Sequence, residues 1–170
     1  MAKKTDGKTH FHTRIDLPAN TRAAMGTILN KRLADFLDLE RQAKQAHWNI
    51  RGSRFQQLHE LFDATAALAV GWSDELAERA SQLGVPAEGT LQVIAERSRL
   101  PKAPLVVDHA DKWVHVVSEA LASCANAARA NIEEASDADD AITADLFTRI
   151  TSETDKQLWF VESHLEPEPK

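Results

Sequence analysis

The sequence predicts an all-α protein with four long helices and a short extra helix between the second and third. Apolar residues recur at helical spacing, with each residue turning about 100°. The second long segment, residues 53–83, contains no proline. At 170 residues and 43% hydrophobic, the chain is long and apolar enough for one domain with its own core.

The first two helices are predicted at residues 20–49 and 53–83. Ser53 with Gln56 three residues later is typical of a capping box, and Gly84 followed by Val85-Pro86 is typical of a helix end. The apolar positions of the first are Met25, Ile28, Leu29, Leu33, Phe36, Leu37 and Ala43. Those of the second are Leu58, Leu61, Phe62, Thr65, Leu68, Trp72, Leu76 and Leu83.

A long connection follows the second helix. A short helix is predicted inside it at 89–98, before Pro101 and Pro104. The third long helix is predicted at 108–134, with Asp108 as its cap, and the fourth at 139–163. We therefore expect a basic flexible tail at residues 1–16, a helical bundle at 17–166 and a disordered end at 167–170.

Composition narrows the classes of function. No stretch approaches about 18 continuous apolar residues, and the N-terminus lacks a signal-peptide apolar region, so we expect a cytoplasmic protein without a membrane partner. The single cysteine, Cys124, excludes an intrachain disulfide and is expected to be a small core residue. A net charge of −6 argues against a generally DNA-binding surface.

The second helix carries four metal-ligand residue types on one arc, opposite its apolar stripe: His59, Asp63, Asp74 and Glu78. The His59/Asp63 pair and the Asp74/Glu78 pair are separated by about 22 Å, at about 1.5 Å of rise per residue. One helix therefore cannot close a single site with all four.

The spacing of these residues suggests how the site is completed. His59 with Glu78, and Asp63 with Asp74, are both centred between Leu68 and Ala69. An antiparallel copy of the helix about a twofold axis there would place one pair opposite the other and form two identical shared sites. The small residues Ala66, Ala67, Val70 and Gly71 are expected on this face, where they would permit close approach of two backbones. The alternative is an ordinary solvated helix face.

His47 is expected to join the site from the preceding helix, because the turn Arg51-Gly52-Ser53 folds that helix back. Two imidazoles and three carboxylates suit iron, manganese or zinc better than copper(I). The Glu-x-x-His motif of di-iron bundles is absent from the sequence, which disfavours a site within one subunit.

Four segments resemble the Dps family of miniferritins: KQAHWNIRG, LHELFD, DELAERASQLG and KQLWFVES. The resemblance extends from about Leu17 to Glu166. It implies a ferritin-like four-helix bundle assembled into a hollow dodecamer, with a ferroxidase centre at a twofold interface. By position, one subunit would supply His47, His59 and Asp63, and its partner Asp74 and Glu78.

The resemblance also implies an activity. The centre would bind two irons, oxidise Fe(II) with hydrogen peroxide or O2, and deliver ferric mineral to the interior. Trp48, beside His47, would pack at the dimer interface or accept oxidising equivalents. Acidic residues near a threefold axis would line a pore for Fe(II), with Asp145 the first candidate and Asp137, Asp139 and Asp140 behind it.

The N-terminal tail gives a second functional hypothesis. Lys3, Lys4, Lys8 and Arg14 stand against one aspartate, Asp6. Many copies on an oligomer would multiply weak phosphate contacts, and lysine-rich tails in the family bind DNA. A solubilising tail is the alternative. Two other functions stay open: a mainly DNA-compacting, nucleoid-associated protein, and a metal-buffering shell without oxidase activity.

Overall fold

The computed structural model describes residues 9–165 and contains five helices within them. They are α1 (Ala19–Asn49), α2 (Phe55–Gln82), α3 (Leu91–Arg97), α4 (Ala110–Asp137) and α5 (Ala141–Glu162). The predicted all-α class, with four long helices and a short one between the second and third, is confirmed.

The long helices form two antiparallel hairpins, α1–α2 and α4–α5, which pack together through α1 against α4 and α2 against α5. The core is centred on large buried rings: Phe36, Phe62, Trp72, Trp113 and Phe147. Phe36 meets Trp72 edge to face, with ring centroids 5.7 Å apart. The predicted apolar stripes face this core, except at Leu68, and Cys124 is buried in it, as expected.

The two ends of α2 differ in how well the sequence predicted them. The Ser53–Gln56 capping box is wrong: the N-cap is Arg54, whose side chain makes no capping bond within the described residues. The stop at Gly84 is correct. Gly84 has φ +82°, and the amides of Gly84 and Val85 donate to the carbonyls of Ser81 and Ala80, the bonds of a Schellman motif.

The N-termini of α4 and α5 differ in whether an aspartate caps the helix. Asp108 was predicted to cap α4, but His109 is the N-cap and Asp108 instead pairs with Lys112 one turn ahead. At α5 the cap is Asp140, whose carboxylate accepts a hydrogen bond from the Thr143 amide at 3.1 Å. An aspartate is a helix cap only where its backbone is placed to reach the free amides.

A polar face of α1 holds the long connection between α2 and α4. Its side chains bond to successive parts of that connection: Asn30 to Pro86 and Glu88, Asp35 to Arg99, Asp38 to Ser98, Gln42 to Pro101 and Gln45 to Leu105. Most of the bonds reach backbone groups that would otherwise need another partner. Polar side chains along one face of α1 therefore attach the connection, and three of them, Asn30, Asp35 and Gln42, are buried.

The segment before α1 lies against the end of α2 from the first described residues onward. The amides of His10 and Phe11 both donate to the Gly84 carbonyl, at 2.7 and 3.0 Å. Arg14 is exposed, while Lys3, Lys4 and Lys8 lie outside the described residues. The tail boundary at residue 16 stays a prediction, as does the disordered end at 167–170.

A membrane-spanning helix would need a long apolar window, and none of the helices between residues 9 and 165 has one.

The buried junction of α2 with α5 gives the first test of stability. Arg79 donates to Asp140 Oδ1 at 2.8 Å and to Thr143 Oγ1 at 2.9 Å, and Asp140 is 1% exposed. Asp140→Ala would leave the buried Arg79 unpaired, so we expect the free energy of unfolding to fall by about 3–5 kcal/mol. Urea unfolding followed by circular dichroism, at equal protein concentration, measures this change.

The matched control is Asp155→Ala, which removes the exposed ion pair with Arg129 on the α4–α5 hairpin. We expect a change of about 0–1 kcal/mol there. Equal losses in the two variants would contradict the assignment of Asp140 as a buried anchor.

The Asp35 carboxyl gives a pH-dependent test. Burial is the largest influence on this group and raises its pKa to about 6, although the hydrogen bond from the Arg99 amide acts in the opposite direction. Between its unfolded value near 4 and about 6, the folded chain keeps a proton that the unfolded chain has lost. This stabilising contribution is therefore present at low pH and is lost as pH rises through about 6.

Asp35→Asn removes the titration and keeps the shape; it also removes the buried ion pair with Arg32 at 3.1 Å, a loss that lowers stability at every pH, so the test lies in the pH dependence. We expect the melting temperature of the variant, minus that of the parent protein at the same pH, to increase as pH is raised from about 4.5 to about 7, because only the parent loses the contribution of Asp35. A difference that is constant with pH would contradict the raised pKa.

Candidate metal centre

The α1–α2 hairpin brings His47, in the last turn of α1, against His59, in the second turn of α2. Their imidazole rings stack with centroids 3.7 Å apart and planes 21° from parallel. The Nδ1 atom of His47 lies 2.8 Å from the carbonyl oxygen of His59, and that of His59 lies 3.0 Å from the carbonyl oxygen of His47. The structure thus places these two predicted ligands together.

These reciprocal bonds determine which nitrogen of each ring carries the hydrogen. A carbonyl oxygen can only accept, so both Nδ1 atoms are donors. In a neutral ring the lone pair is then on Nε2, the form in which histidine binds metals. The His47 carbonyl is available because the last four carbonyls of a helix have no intrahelical partner. The backbone itself prepares both imidazoles as ligands.

Asp63, one turn beyond His59, adds a carboxylate beside the pair. Its Oδ1 lies 4.0 Å from His47 Nδ1 and accepts a hydrogen bond from Lys44 Nζ at 2.6 Å. That bond is the largest influence on the group and lowers the pKa of Asp63; the charges of Lys44, His47 and His59 act in the same direction. Asp63 is therefore an ionised oxygen donor on the exposed side of the pair.

Two residues near the pair were missed by the sequence analysis. Lys44 lies one turn before His47 on α1, and its Nζ sits 5.9 Å from the centre of the Trp48 ring. Phe55 lies four residues before His59 on α2 and stacks on its ring at 4.9 Å. The i−3 and i−4 spacings were visible in the sequence, since residues so placed share a helix face. Trp48, next to His47 in the sequence, is exposed; its role beside the site stays a prediction.

Asp74 and Glu78 are exposed on the same helix, farther toward its C-terminal end. Within residues 9–165 of a single chain, no three His, Cys, Asp or Glu side chains cluster closely enough to hold a metal ion. The structure stacks His47 on His59 and places Asp63 Oδ1 4.0 Å from His47 Nδ1, but these three side chains alone do not form a metal-binding cluster. It does not bring Asp74 and Glu78 to them within one chain.

The middle of α2 differs from the prediction at two positions. Leu68 was placed on the core stripe, but its side chain is 39% exposed. Ala66 was placed on the face with the ligands, but it is buried in the bundle. Ala67, Val70 and Gly71 are exposed as expected. Positions at the edge of a helical stripe turn either way according to what packs beside them.

The candidate pore residues also separate by burial. Asp145 is exposed and lines a surface cavity of about 220 Å³ between α2 and α5, together with Glu75, Glu78 and Arg149. Asp137 and Asp139 are exposed as well. Asp140 was included as a weaker candidate, but its carboxylate is buried and occupied by Arg79 and Thr143. Asp140 stabilises the contact between α2 and α5 by accepting hydrogen bonds from both helices.

Comparison with known proteins places this chain in a family. Residues 27–169 match the family model described as a ferritin-like domain. The DNA protection during starvation protein of Agrobacterium fabrum is 37% identical over 159 residues, covering 94% of this chain and 98% of the relative.

Solved structures of Dps proteins have the same fold as this chain. DpsC from Streptomyces coelicolor superposes with a TM-score of 0.92 at 29% identity, covering 100% of this chain and 99% of that one. Mycobacterium smegmatis Dps gives a TM-score of 0.87 at 28% identity, covering 93% and 95%. The family model spans most of the chain, and the Agrobacterium relative matches it nearly end to end, so this chain belongs to the Dps family of ferritin-like proteins.

Proposed function

We propose that this protein is a ferroxidase and iron-storage miniferritin whose oxidation site is shared between twofold-related subunits. The observation that carries the proposal is the prepared pair His47 and His59, with Asp63 beside them and with Asp74 and Glu78 symmetrically placed on the same helix face. The Dps family in general is associated with iron storage and DNA protection, and this chain has each of the residue types that such a site requires.

The ligand set suits Fe(II) as substrate. Two imidazole nitrogens and an ionised carboxylate from one subunit would face two carboxylates from its partner, a mixed nitrogen and oxygen environment suited to iron. The partner would contribute Asp74 and Glu78. The carboxylates would also offset the charge gained on oxidation to Fe(III).

Hydrogen peroxide is the proposed oxidant, with O2 as the alternative. Each of two Fe(II) ions gives one electron, the O–O bond breaks, and both oxygens take up protons and leave as water. Because both electrons are supplied together, peroxide is reduced without releasing hydroxyl radical. Trp48, exposed next to His47, is placed to accept a stray oxidising equivalent or to pack against the partner.

Storage requires a hollow assembly, and we propose a homododecamer in the cytoplasm. Asp145 is the proposed pore residue for Fe(II), because it is exposed in a groove that also contains Glu78. A carboxylate at that point would attract the cation electrostatically toward the oxidation site.

The principal test is iron oxidation by the purified protein. Fe(II) is added anaerobically, peroxide follows, and the absorbance of ferric product is recorded. We expect a fast, saturable rise in the parent protein and its loss in His59→Ala and in Asp74→Ala/Glu78→Ala. The double variant keeps its helical content, because both side chains are exposed. An unchanged rate in it would overturn the site assignment. Tight metal binding without oxidation would favour the metal-buffer function.

Coexpression tests whether the site is shared. Each proposed site takes His59 from one subunit and Glu78 from the other. In a dimer of one His59→Ala subunit and one Glu78→Ala subunit, one site therefore carries both substitutions and the other site carries neither. Random mixing is expected to restore about one quarter of the parent activity, whereas each variant alone stays inactive. Inactive mixed assemblies, verified to contain both subunits, would contradict a shared site.

DNA binding through the N-terminal tail is a second proposed function. The names of the bacterial relatives describe DNA protection, and the tail is basic on an otherwise acidic chain. Lys3, Lys4, Lys8 and Arg14 would contact phosphates, with affinity multiplied by the number of tails in the assembly.

A gel-shift comparison tests the tail. A variant lacking residues 1–14 is expected to lose DNA binding, and the binding of the parent protein is expected to weaken steeply as salt is raised from about 50 to 200 mM. The acidic body is not expected to bind alone. Equal binding by both proteins would contradict the role of the tail, and absence of binding in the parent would favour a solubilising tail.

A further inference from the structure

The imidazole of His59 stacks on two other rings. Its centroid lies 3.7 Å from that of His47 and 4.9 Å from that of Phe55, and the planes of His59 and Phe55 are 28° apart. Phe55 is the first residue of α2, and its side chain is 37% exposed. A phenyl ring at the surface end of a helix is not needed to fill the core, so its contact with His59 calls for another explanation.

The hydrogen bond at Nδ1 holds one edge of the His59 ring but leaves the ring free to tilt about that edge. Such a tilt would move Nε2, on the far side of the ring, away from the point where a metal must lie. Flat surfaces stacked against the ring oppose the tilt, and stacking between aromatic rings is favourable at these separations. His47 alone supplies one such surface, and Phe55 supplies another.

We propose that Phe55 is a positioning residue of the metal centre: its ring holds the His59 imidazole so that Nε2 points at the metal. The inference rests on the proposed function, because it assumes that His59 is a ligand. Phe55 would not touch the metal. It acts through His59, as residues that orient a ligand do in metal sites generally, where their loss weakens metal affinity.

The chain offers a matched control. Phe160 on α5 is 39% exposed and packs against Trp159 with ring centroids 5.0 Å apart, so it has similar exposure and also a ring neighbour. It lies outside the metal centre. Phe160→Leu therefore reports the general effect of removing an exposed, stacked phenyl ring from this protein.

The experiment uses the full-length assembled protein and Co(II) as the probe, under anaerobic conditions. Calorimetry measures affinity, and the visible d–d absorption of bound Co(II) reports coordination geometry, a readout independent of oxidase activity. We expect Phe55→Leu to weaken Co(II) binding by about tenfold or more and to change the absorption, as losses of orienting residues do. Phe55→Tyr keeps a flat ring, so we expect it to retain the Co(II) affinity and the absorption of the parent. Phe160→Leu is expected to match the parent in both.

The outcomes separate the positioning role from the proposed function. If the parent does not bind Co(II), or binds it equally well after His59→Ala, both are overturned. If binding depends on His59 but Phe55→Leu matches the parent in affinity and absorption, only the positioning role is overturned.

Assembly is the remaining control, because Phe55 lies near the proposed twofold face. Sedimentation velocity measures the assembled fraction of Phe55→Leu, Phe55→Tyr and a third variant, Phe55→Met, whose side chain is long and apolar but has no flat ring. A positioning role predicts that affinity follows the presence of a flat ring. Affinity that instead follows the assembled fraction across the three variants would overturn it.

Discussion

The reciprocal hydrogen bonds between His47 and His59 are the interaction on which the rest of the site depends. Each imidazole donates to the other residue's carbonyl, so the end of α1 and the start of α2 are joined by the same contacts that orient two ligands. Asp63 follows one turn later on α2, and Phe55 precedes by one turn. The short turn between α1 and α2 therefore has two consequences. It holds the ends of the two helices together, and it orients the histidines that one subunit would contribute to the proposed site.

A second constraint is the long connection from α2 to α4, which must run along the bundle without leaving its backbone groups unpaired. The polar face of α1 satisfies this requirement, with Asn30, Asp35, Gln42 and Gln45 bonded to the connection. The buried Arg79–Asp140 pair has a comparable role where α5 begins. These polar contacts attach segments that lie far apart in the chain, and they leave few buried polar groups without a partner.

Sequence reasoning was most successful where a pattern repeats and least successful at single positions. The helices, the stop at Gly84 and the approach of His47 to His59 were predicted because periodicity and backbone rules act locally. The Ser53 cap, the Asp108 cap and the burial of Leu68, Ala66 and Asp140 were predicted wrongly, because each depends on what packs nearby. Lys44 and Phe55 were missed for the same reason, although their spacing placed them on the right faces.

The sequence by itself determined the all-α class, the four long helices and the family, because helical periodicity and specific motifs are written along the chain. The symmetric positions of His59, Asp63, Asp74 and Glu78 were also visible in the sequence, and the rise of a helix converts them into distances along its axis. Only the tertiary structure decided the ring stacking, the bond between Lys44 and Asp63, and the availability of both histidine Nε2 atoms. These are contacts between α1 and α2, or between turns at their junction, and no periodicity within one helix encodes the distance between two side chains on different ones.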